Sequence, residues 1–310
     1  GKQLISVSDN GIGISKNNLK LCLERHATSK LNDNNLFNLD FLGFRGEALP
    51  SIASVSNLTI ESKKRDSLLA WGTKVKKNKI SDLYPTSRNL GTKVNVSQLF
   101  SYVPARLKFL KTNVGENAHS IQIVKKLALI NPTIGFKLKI DNRVILNLSK
   151  EKSFLEGIEN RITEILGLEF FNNSIEINNQ KFLNSEKIIL QGFISLPTLN
   201  QANQLKQFLF VNGRPVVDRG LSSVSRLSYK DTLPRGRHPI YCIFLNVPKD
   251  FVDVNVHPTK MEVRFKDYSL VKSLVMNSIS NAISREGKKV FKLNLNQSIS
   301  QNTENKNFDI

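Results

Sequence analysis

A carboxylate followed closely by two glycines is the first feature of the sequence whose residue types could do chemistry. Asp9, Gly11 and Gly13 lie in residues 9–14, Asp-Asn-Gly-Ile-Gly-Ile. The glycines permit a tight backbone turn and leave room for a flat ligand. A carboxylate beside such a turn can accept a hydrogen bond from an exocyclic amine such as that of adenine. The alternative is a strand–helix corner in which Asp9 only satisfies backbone donors.

A second glycine-rich turn could bind phosphate. Residues 43–49, Gly-Phe-Arg-Gly-Glu-Ala-Leu, precede a helix that we expect to open near Glu47 or Ala48. A turn that enters a helix N-terminus presents free N–H groups and the positive end of the helix dipole. Pro50 fits only in the first helical turn, where a missing N–H costs little. The G-x-x-x-x-G-K-[ST] phosphate loop does not occur in the sequence.

The segments around these turns have the apolar patterns of strands and helices. Residues 4–8 alternate like a strand, so we expect Asp9 at the mouth of a buried strand. The pattern Ser153-Phe-Leu-Glu predicts a helix start, and Gly167 its end. Further strands are predicted at 58–60, 74–76, 94–96, 136–140, 143–148, 188–194, 207–211 and 241–247, and further helices at 115–130, 219–229 and 269–285.

The charge balance is strongly basic. Lys+Arg 45 against Asp+Glu 26 gives a formal net charge of +19 over 310 residues. Such an excess attracts polyanions, nucleic acid first. The alternative is a general lysine-rich bias, with the charges spread over solvated faces.

Cysteine and histidine usage argues against a metal cluster. Cys22 and Cys242 stand in unlike contexts, and the four histidines show no ligand spacing. Reduced thiols and a cytoplasmic location follow as expectations. No apolar run reaches transmembrane length. Gly1 lies in mid-strand, which leads us to expect that further residues precede it.

Seven short segments occur together in a specific combination. They are DNGIGI at 9–14, RHATSK at 25–30, GFRGEAL at 43–49, GTKV at 91–94, PARLKFL at 104–110, FVNGRPV at 210–216 and DVNVHPTKMEVRF at 253–265. Over residues 1 to about 285 the chain thereby resembles the MutL family of DNA mismatch-repair ATPases. That family belongs with gyrase-type topoisomerases and histidine kinases. Ser-Tyr-Val-Pro at 101–104 departs from the family's Tyr-Asn-Thr-Pro.

The resemblance implies an α+β fold in two domains. Residues 1–150 are expected to form an N-terminally truncated, incomplete gyrase/histidine-kinase-type ATPase α/β sandwich. Residues 151–286 are expected to form a smaller α/β transducer domain with a left-handed crossover, which also binds DNA. The polar, asparagine-rich residues 287–310 are expected to begin a flexible linker.

The resemblance also implies a binding site for ATP with Mg²⁺. Asp9 and Thr92 would bind the adenine, and a lid between residues 25 and 42 would bring Lys30 to the phosphates. Lys260, from the second domain, would contact the γ-phosphate. The implied ATP-binding residues are Asp9, Gly11, Gly13, Lys30, Gly43, Phe44, Arg45, Gly46, Glu47, Ala48, Leu49, Thr92 and Lys260.

The residues for ATP hydrolysis are expected outside this sequence. The family's general base, a glutamate, and its magnesium ligand, an asparagine, lie on a helix upstream of the turn at 9–14. No catalytic residue and no metal ligand is therefore assigned, and Glu47 belongs to the phosphate turn. Hydrolysis is expected of intact relatives and not of this chain alone.

The implied function is DNA mismatch repair, as a nucleotide-gated matchmaker between mismatch recognition and strand removal. Arg214, in an Asn-Gly-Arg-Pro turn, would lie along a basic groove that holds DNA backbone without sequence preference. A plain hairpin tip is the alternative. Implied partners are DNA, the mismatch-recognition protein MutS, a downstream repair endonuclease or helicase, and a second copy in a homodimer. The alternatives are a type II topoisomerase B-subunit-like ATPase fragment and a decayed, non-hydrolysing fragment.

Overall fold

The computed structural model describes residues 2–25, 46–183, 186–253 and 262–304, with only the backbone described at 183 and from 288 onward. It has a mixed α+β fold, as predicted, in two compact units, Gly1–Ser120 and Ile121–Ile310. We placed the boundary near residue 150, and the division falls earlier. The reason is packing: Ala128, Leu129 and Leu148 belong to a core of the second unit.

The first unit is built on one antiparallel sheet. Its strands run in the order β1-β6-β2-β3-β4, with β5 paired to β3. The elements are β1 (Leu4–Ser8), α1 (Lys16–Leu21), α2 (Ala48–Ala53), β2 (Asn57–Lys63), β3 (Ala70–Lys76), β4 (Lys79–Ile80), β5 (Tyr84–Thr86), β6 (Gly91–Ser97) and α3 (Pro104–Leu107). Helix α4 (Asn113–Ile130) contains the division between the units.

One face of this sheet carries the core of the first unit. Successive strand residues point to opposite faces, and β2 buries every second one. Leu58 and Ile60 lie on the buried face, and Leu19 of α1 and Ala53 of α2 pack in the same cluster. Ser62 follows in the same register and is also buried. The apolar face therefore ends in a buried hydroxyl.

Strand β1 is an exposed edge, so the expectation of a buried strand before Asp9 is wrong. All five of its residues are exposed, including Leu4 and Val7. Among the described residues, β1 pairs only with β6 and no element covers its faces. An alternating apolar pattern indicates a strand but does not indicate whether a neighbour covers it.

The second unit is built on a mixed five-stranded sheet of order β13-β12-β15-β10-β9, in which β12 and β15 are parallel. The hairpin is β7 (Phe136–Ile140) and β8 (Arg143–Leu148), followed by α5 (Phe154–Leu166) and α6 (Leu168–Asn172). The remaining elements are β9 (Ser174–Leu183), β10 (Glu186–Ser195), β11 (Asn200–Gln201), β12 (Gln207–Val211), β13 (Arg214–Val216), α7 (Arg219–Leu227), β14 (His238–Pro239), β15 (Tyr241–Asn246), a 3₁₀ turn (Lys249–Phe251), β16 (Val252–Asp253), β17 (Arg264–Phe265) and α8 (Tyr268–Glu304). The crossover from β12 to β15 contains α7, and its left hand stays a prediction.

The five-stranded sheet is covered on both faces. In β12, Leu209 and Val211 pack in a cluster with residues of α7 and α8. Phe208 and Phe210 alternate with them and pack with residues of α5, α6 and the β7–β8 hairpin. The sheet therefore divides the second unit into two cores.

A buried arginine joins the segments at one edge of the second core. Arg161 of α5 is 0% exposed. Its guanidinium donates to the backbone oxygens of Ala128, Pro132, Ile134 and Ser149 at 3.3, 3.0, 3.3 and 2.5 Å. One side chain thus holds the end of α4, the turn after it and the end of β8 against α5.

Helix α8 is longer than predicted. We expected a helix over 269–285 and a flexible linker from residue 287, whereas the helix begins at Tyr268 and runs to Glu304. The segment contains no proline, and Gly287 is its only glycine, so no residue in it breaks a helix. An asparagine-rich composition lowers helix propensity without ending a helix.

Candidate functional site

The candidate site lies where polar residues form a row across the first sheet. Thr92 of β6 is the register partner of Ser62 on β2, and Ser62 is the partner of Trp71 on β3. Directly opposed residues share one face of a sheet. Asp9 continues the row beyond the end of β1, because its backbone N–H donates to the Thr92 oxygen at 2.9 Å. The site therefore occupies the polar end of the face whose other end is the core.

The two oxygens of the Asp9 carboxylate differ in their hydrogen bonding. Oδ1 accepts the backbone N–H of Gly11 at 2.9 Å and that of Thr92 at 3.1 Å. Asp9 is exposed, and within the described part of the chain Oδ2 accepts no hydrogen bond. Asp9 therefore does satisfy backbone donors, which is the structural role given above as the alternative. Its second oxygen is held in place by the same contacts and can accept a hydrogen bond from a ligand.

Two glycines hold the Asp9 turn against the sheet. Gly13 has φ +72°, and a Cβ there would lie 2.1 Å from the Lys63 oxygen. Gly91 has φ +109°, and a Cβ there would lie 2.1 Å from the backbone oxygen of Asp9. Any other residue would force the backbones apart at both points. The close approach explains why the turn and the start of β6 need glycine, a stronger requirement at these positions than ligand clearance.

Ser62 is a site residue that the sequence analysis missed. Its side chain, 1% exposed, accepts the N–H of Ile14 at 2.7 Å. The hydroxyl also lies 3.1 Å from the Gly91 oxygen and 2.9 Å from the Thr92 hydroxyl. It therefore links the end of the Asp9 turn to the start of β6. The available signal was a serine in the buried register of β2, two residues beyond Ile60.

The sequence analysis also missed Arg88, whose side chain contacts the backbone of β2 and of the Asp9 turn. Its guanidinium donates to the Glu61 oxygen at 2.9 Å and to the Asn89 oxygen at 3.0 Å. Its guanidinium also makes longer contacts, of 3.4 Å with the backbone oxygen of Asp9 and of 3.5 Å with the Ser8 hydroxyl. Nothing local in the sequence distinguishes this arginine from the other basic residues.

The second glycine-rich turn is described only from Gly46 onward. Gly46 has φ +62°, and Glu47 is the N-cap residue of α2, which begins at Ala48 as predicted. Pro50 is the third residue of this helix, inside its first turn. Leu49 and Ile14 pack at the edge of the same core, so both turns belong to one unit. Lys30, Gly43, Phe44, Arg45 and Lys260 lie outside the described residues.

Arg214 lies in a hairpin but is not a surface cation. It begins β13, opposite Val211, after a turn in which Asn212 and Gly213 have φ +47° and +70°. The Asn212 side chain bonds the backbone of Val247 in both directions, at 2.9 and 3.0 Å. Arg214 is 6% exposed. The structure therefore shows the hairpin, and direct contact of Arg214 with DNA stays a prediction that its burial disfavours.

The cysteines do not form a site. Burial raises the pKa of the Cys22 thiol to about 11 and also raises that of Cys242, so neither favours the reactive thiolate. Across the described ranges no three His, Cys, Asp or Glu side chains could together hold a metal ion. None of the helices described is long and apolar enough to cross a membrane.

Comparison with known proteins gives one consistent family. Residues 162–284 match the model described as DNA mismatch repair protein, C-terminal domain. The chain is 42% identical over 287 residues to the DNA mismatch repair protein MutL of Rickettsia bellii strain RML369-C, covering 92% of this chain and 46% of that protein. It is 41% identical over 288 residues to the MutL of Paramagnetospirillum magneticum, covering 93% and 47%. The chain thus spans about half the length of the curated relatives it matches.

Solved structures agree with the sequence relatives in fold. The crystal structure of the N terminal domain of a DNA repair protein superposes with a TM-score of 0.76 at 26% identity, covering 92% of this chain and 86% of that one. The Aquifex aeolicus MutL ATPase domain complexed with ADP superposes with a TM-score of 0.57 at 23% identity, covering 88% and 85%. The predicted ATPase-type α+β fold is therefore confirmed.

Proposed function

Because the chain belongs to the MutL family of DNA mismatch repair proteins, we propose that it binds an adenine nucleotide at the Asp9–Thr92 corner and acts in mismatch repair through it. The observation that carries the proposal is the Asp9 carboxylate. Two backbone N–H groups fix one of its oxygens, and the other oxygen, on an exposed residue, accepts no hydrogen bond from the described residues. An ionised carboxylate only accepts hydrogen bonds, so this oxygen suits the exocyclic amine of adenine.

The residues present fit the base end of a nucleotide. Thr92 adds a hydroxyl beside Asp9, and Ser62 and Arg88 hold the two segments that carry them. The phosphates are proposed to lie at the turn of Gly43, Phe44, Arg45, Gly46, Glu47, Ala48 and Leu49, with Lys30 and Lys260 as further phosphate contacts. Gly11 and Gly13 are proposed to lie along the base, and Gly13 also holds the turn against the Lys63 backbone.

Hydrolysis is not assigned to any residue of this chain. A general base would activate water, and Mg²⁺ bound to the phosphates would neutralise charge. By the resemblance, a glutamate and an asparagine supply these roles in the family, and Mg²⁺ is expected to bind with the triphosphate. We therefore propose nucleotide binding for this chain and ATPase activity for family members that carry those two residues.

In mismatch repair, the proposed role is that of a nucleotide-gated matchmaker that couples mismatch recognition to strand removal. The +19 charge supports contact with DNA backbone, which carries no sequence information. MutS-type recognition proteins, a downstream endonuclease or helicase and a second copy of the chain are the proposed partners. A cytoplasmic location completes the proposal.

Nucleotide binding is tested by titrating ADP and ATP with calorimetry. Trp71, the only tryptophan, is the register partner of Ser62 and gives a fluorescence signal beside the site. Asp9→Asn should weaken binding, whereas Asp66→Asn, an exposed aspartate outside the network, should not. Equal affinities for the two variants would refute the assignment.

DNA binding is tested separately. Anisotropy titrations with unrelated duplexes at about 50 and about 200 mM salt should show similar affinities for every sequence and a steep fall with salt. A marked preference for one sequence would contradict backbone binding. So would an affinity that does not change with salt.

A further inference from the structure

The direction of the hydrogen bonds around Ser62 has a consequence for which base the site accepts. The Ser62 hydroxyl has one proton and two lone pairs, and it meets three groups: the Ile14 N–H, the Gly91 carbonyl and the Thr92 hydroxyl. The Ile14 N–H can only donate, so it takes one lone pair. The Gly91 carbonyl can only accept, so the Ser62 proton serves it.

The Thr92 hydroxyl then has to donate to Ser62. If Ser62 instead gave its proton to Thr92, two oxygens 3.1 Å apart, those of Ser62 and Gly91, would face each other with no proton between them. That arrangement is unfavourable at a position where the Ser62 side chain is 1% exposed and water cannot replace the bond. Hydroxyl protons are assigned by satisfying such a network. The satisfied network fixes the Thr92 proton toward Ser62.

A threonine whose proton is committed can offer only lone pairs to a ligand. Thr92 keeps 9% exposure, and its backbone N–H donates to Oδ1 of Asp9, whose other oxygen, Oδ2, is also an acceptor. We infer that Ser62 is a specificity-determining residue: it makes Thr92 an acceptor, so that the corner binds a purine with an amine at position 6 and rejects one with a carbonyl there. This inference rests on the proposed nucleotide site.

A purely structural role for Ser62 is the competing explanation. The serine also fixes Ile14, so its loss would loosen the turn and weaken every nucleotide alike. The inference predicts a change in the ratio of two affinities, which loosening does not produce. ADP and inosine diphosphate are suitable probes because they differ only along one edge of the base: adenine has an amine at position 6 and an acceptor at N1, whereas hypoxanthine has a carbonyl at position 6 and an N–H at N1.

The experiment compares the affinities of the full chain for ADP and for inosine diphosphate by calorimetry and Trp71 fluorescence. In Ser62→Ala the Thr92 hydroxyl is free to turn and donate, so the preference for ADP should fall roughly three- to tenfold. Ser62→Thr keeps the hydroxyl and should keep the preference. Ser56→Ala is the matched control, because Ser56 is a buried serine of the same unit whose hydroxyl donates only to the Ile52 oxygen.

Thr92→Val tests the same polarity without changing Ser62. It removes an acceptor if the inference holds, and should weaken ADP more than inosine diphosphate. The reverse order would show that Thr92 donates, and would overturn the inference even if Ser62→Ala failed to fold. An unchanged ratio in folded Ser62→Ala, confirmed by its thermal melt, would reduce Ser62 to a structural role and leave the proposed function intact. Failure of the unaltered chain to bind either nucleotide would refute both.

Discussion

Replacing the buried Arg161 with methionine should strongly destabilise the second unit. Methionine keeps most of the length of the side chain and removes the guanidinium, so the change isolates the hydrogen bonds. The Nη2 group donates toward Pro132, Ile134 and Ser149, and Nη1 toward Ala128. Three acceptors share the two protons of Nη2, so the four contacts are not four full bonds.

The magnitude follows from which carbonyls keep another donor. The Pro132 oxygen also accepts the Glu151 N–H at 2.9 Å, and the Ala128 oxygen accepts the Asn131 N–H at 3.3 Å. The Ile134 and Ser149 oxygens have no second backbone donor in the described ranges. A buried acceptor left unsatisfied costs about 1–3 kcal/mol, and both are only partly buried. Removing the charge also relieves its desolvation cost. We expect a net loss of about 2–4 kcal/mol in the free energy of unfolding.

Urea unfolding followed by far-UV circular dichroism measures this loss, with linear extrapolation to water. Glu164→Gln is the matched control, because Glu164 lies 3.3 Å from Nε of Arg161 on a side chain that is 37% exposed. That variant keeps all four carbonyl contacts and should lose about 0–1 kcal/mol. Trp71 belongs to the first unit, so its fluorescence reports that unit separately. A loss below about 1 kcal/mol in Arg161→Met, within the range of an ordinary surface substitution, would refute the reasoning.

Three further predictions concern the site and the thiols. Asp9→Asn keeps the oxygen that accepts the Gly11 and Thr92 N–H groups but replaces the other oxygen with an NH₂ donor. Calorimetry should show an ADP affinity about tenfold to a hundredfold lower, with the thermal midpoint nearly unchanged. An unchanged affinity would contradict the role of Asp9. Gly91→Ala should destabilise the first unit far more than Gly167→Ala destabilises the second. Both glycines have positive φ, but only at Gly91 would the added Cβ collide with a backbone atom. Equal shifts of the thermal midpoint in the two variants would count against the steric argument. Burial raises the pKa of Cys22 to about 11, so the reactive thiolate fraction, and with it the alkylation rate, should rise about tenfold per pH unit between about pH 8 and 10. The buried Cys242 should react only on unfolding. An alkylation rate of Cys22 that does not change with pH would exclude this account.

Local signals in the sequence were sufficient for many elements. The Ser153 hydroxyl accepts the Glu156 N–H at 3.3 Å, and Gly167 ends the helix at φ +100°, as the capping pattern predicted. Asp141 and Asn142 both have positive φ in the two-residue turn between the strands predicted at 136–140 and 143–148. These features depend on neighbours within four residues, which a sequence displays directly.

Features that depend on distant partners were missed. Strand β9 was not predicted because its sequence, with Asn178 and Asn179 at the centre, has low strand propensity. It forms because ten of its residues pair in register with β10. The Asp9 turn was identified from residue types alone, but its Ser62 anchor lies 48 residues beyond Ile14. Such contacts are consequences of topology, and no local pattern marks them.

The acceptors of Arg161 all precede it, the farthest by 33 residues. A chain that emerges from the ribosome N-terminus first can therefore close this junction before β9, which begins at Ser174, has emerged. The aliphatic side of that early assembly, formed by Ala128, Leu129 and Ile162, belongs to a core that is completed only when Phe208 and later residues arrive. Nascent chains that end before Gln207 should consequently expose an apolar surface, and early termination in this interval should give products prone to aggregation and to capture by chaperones.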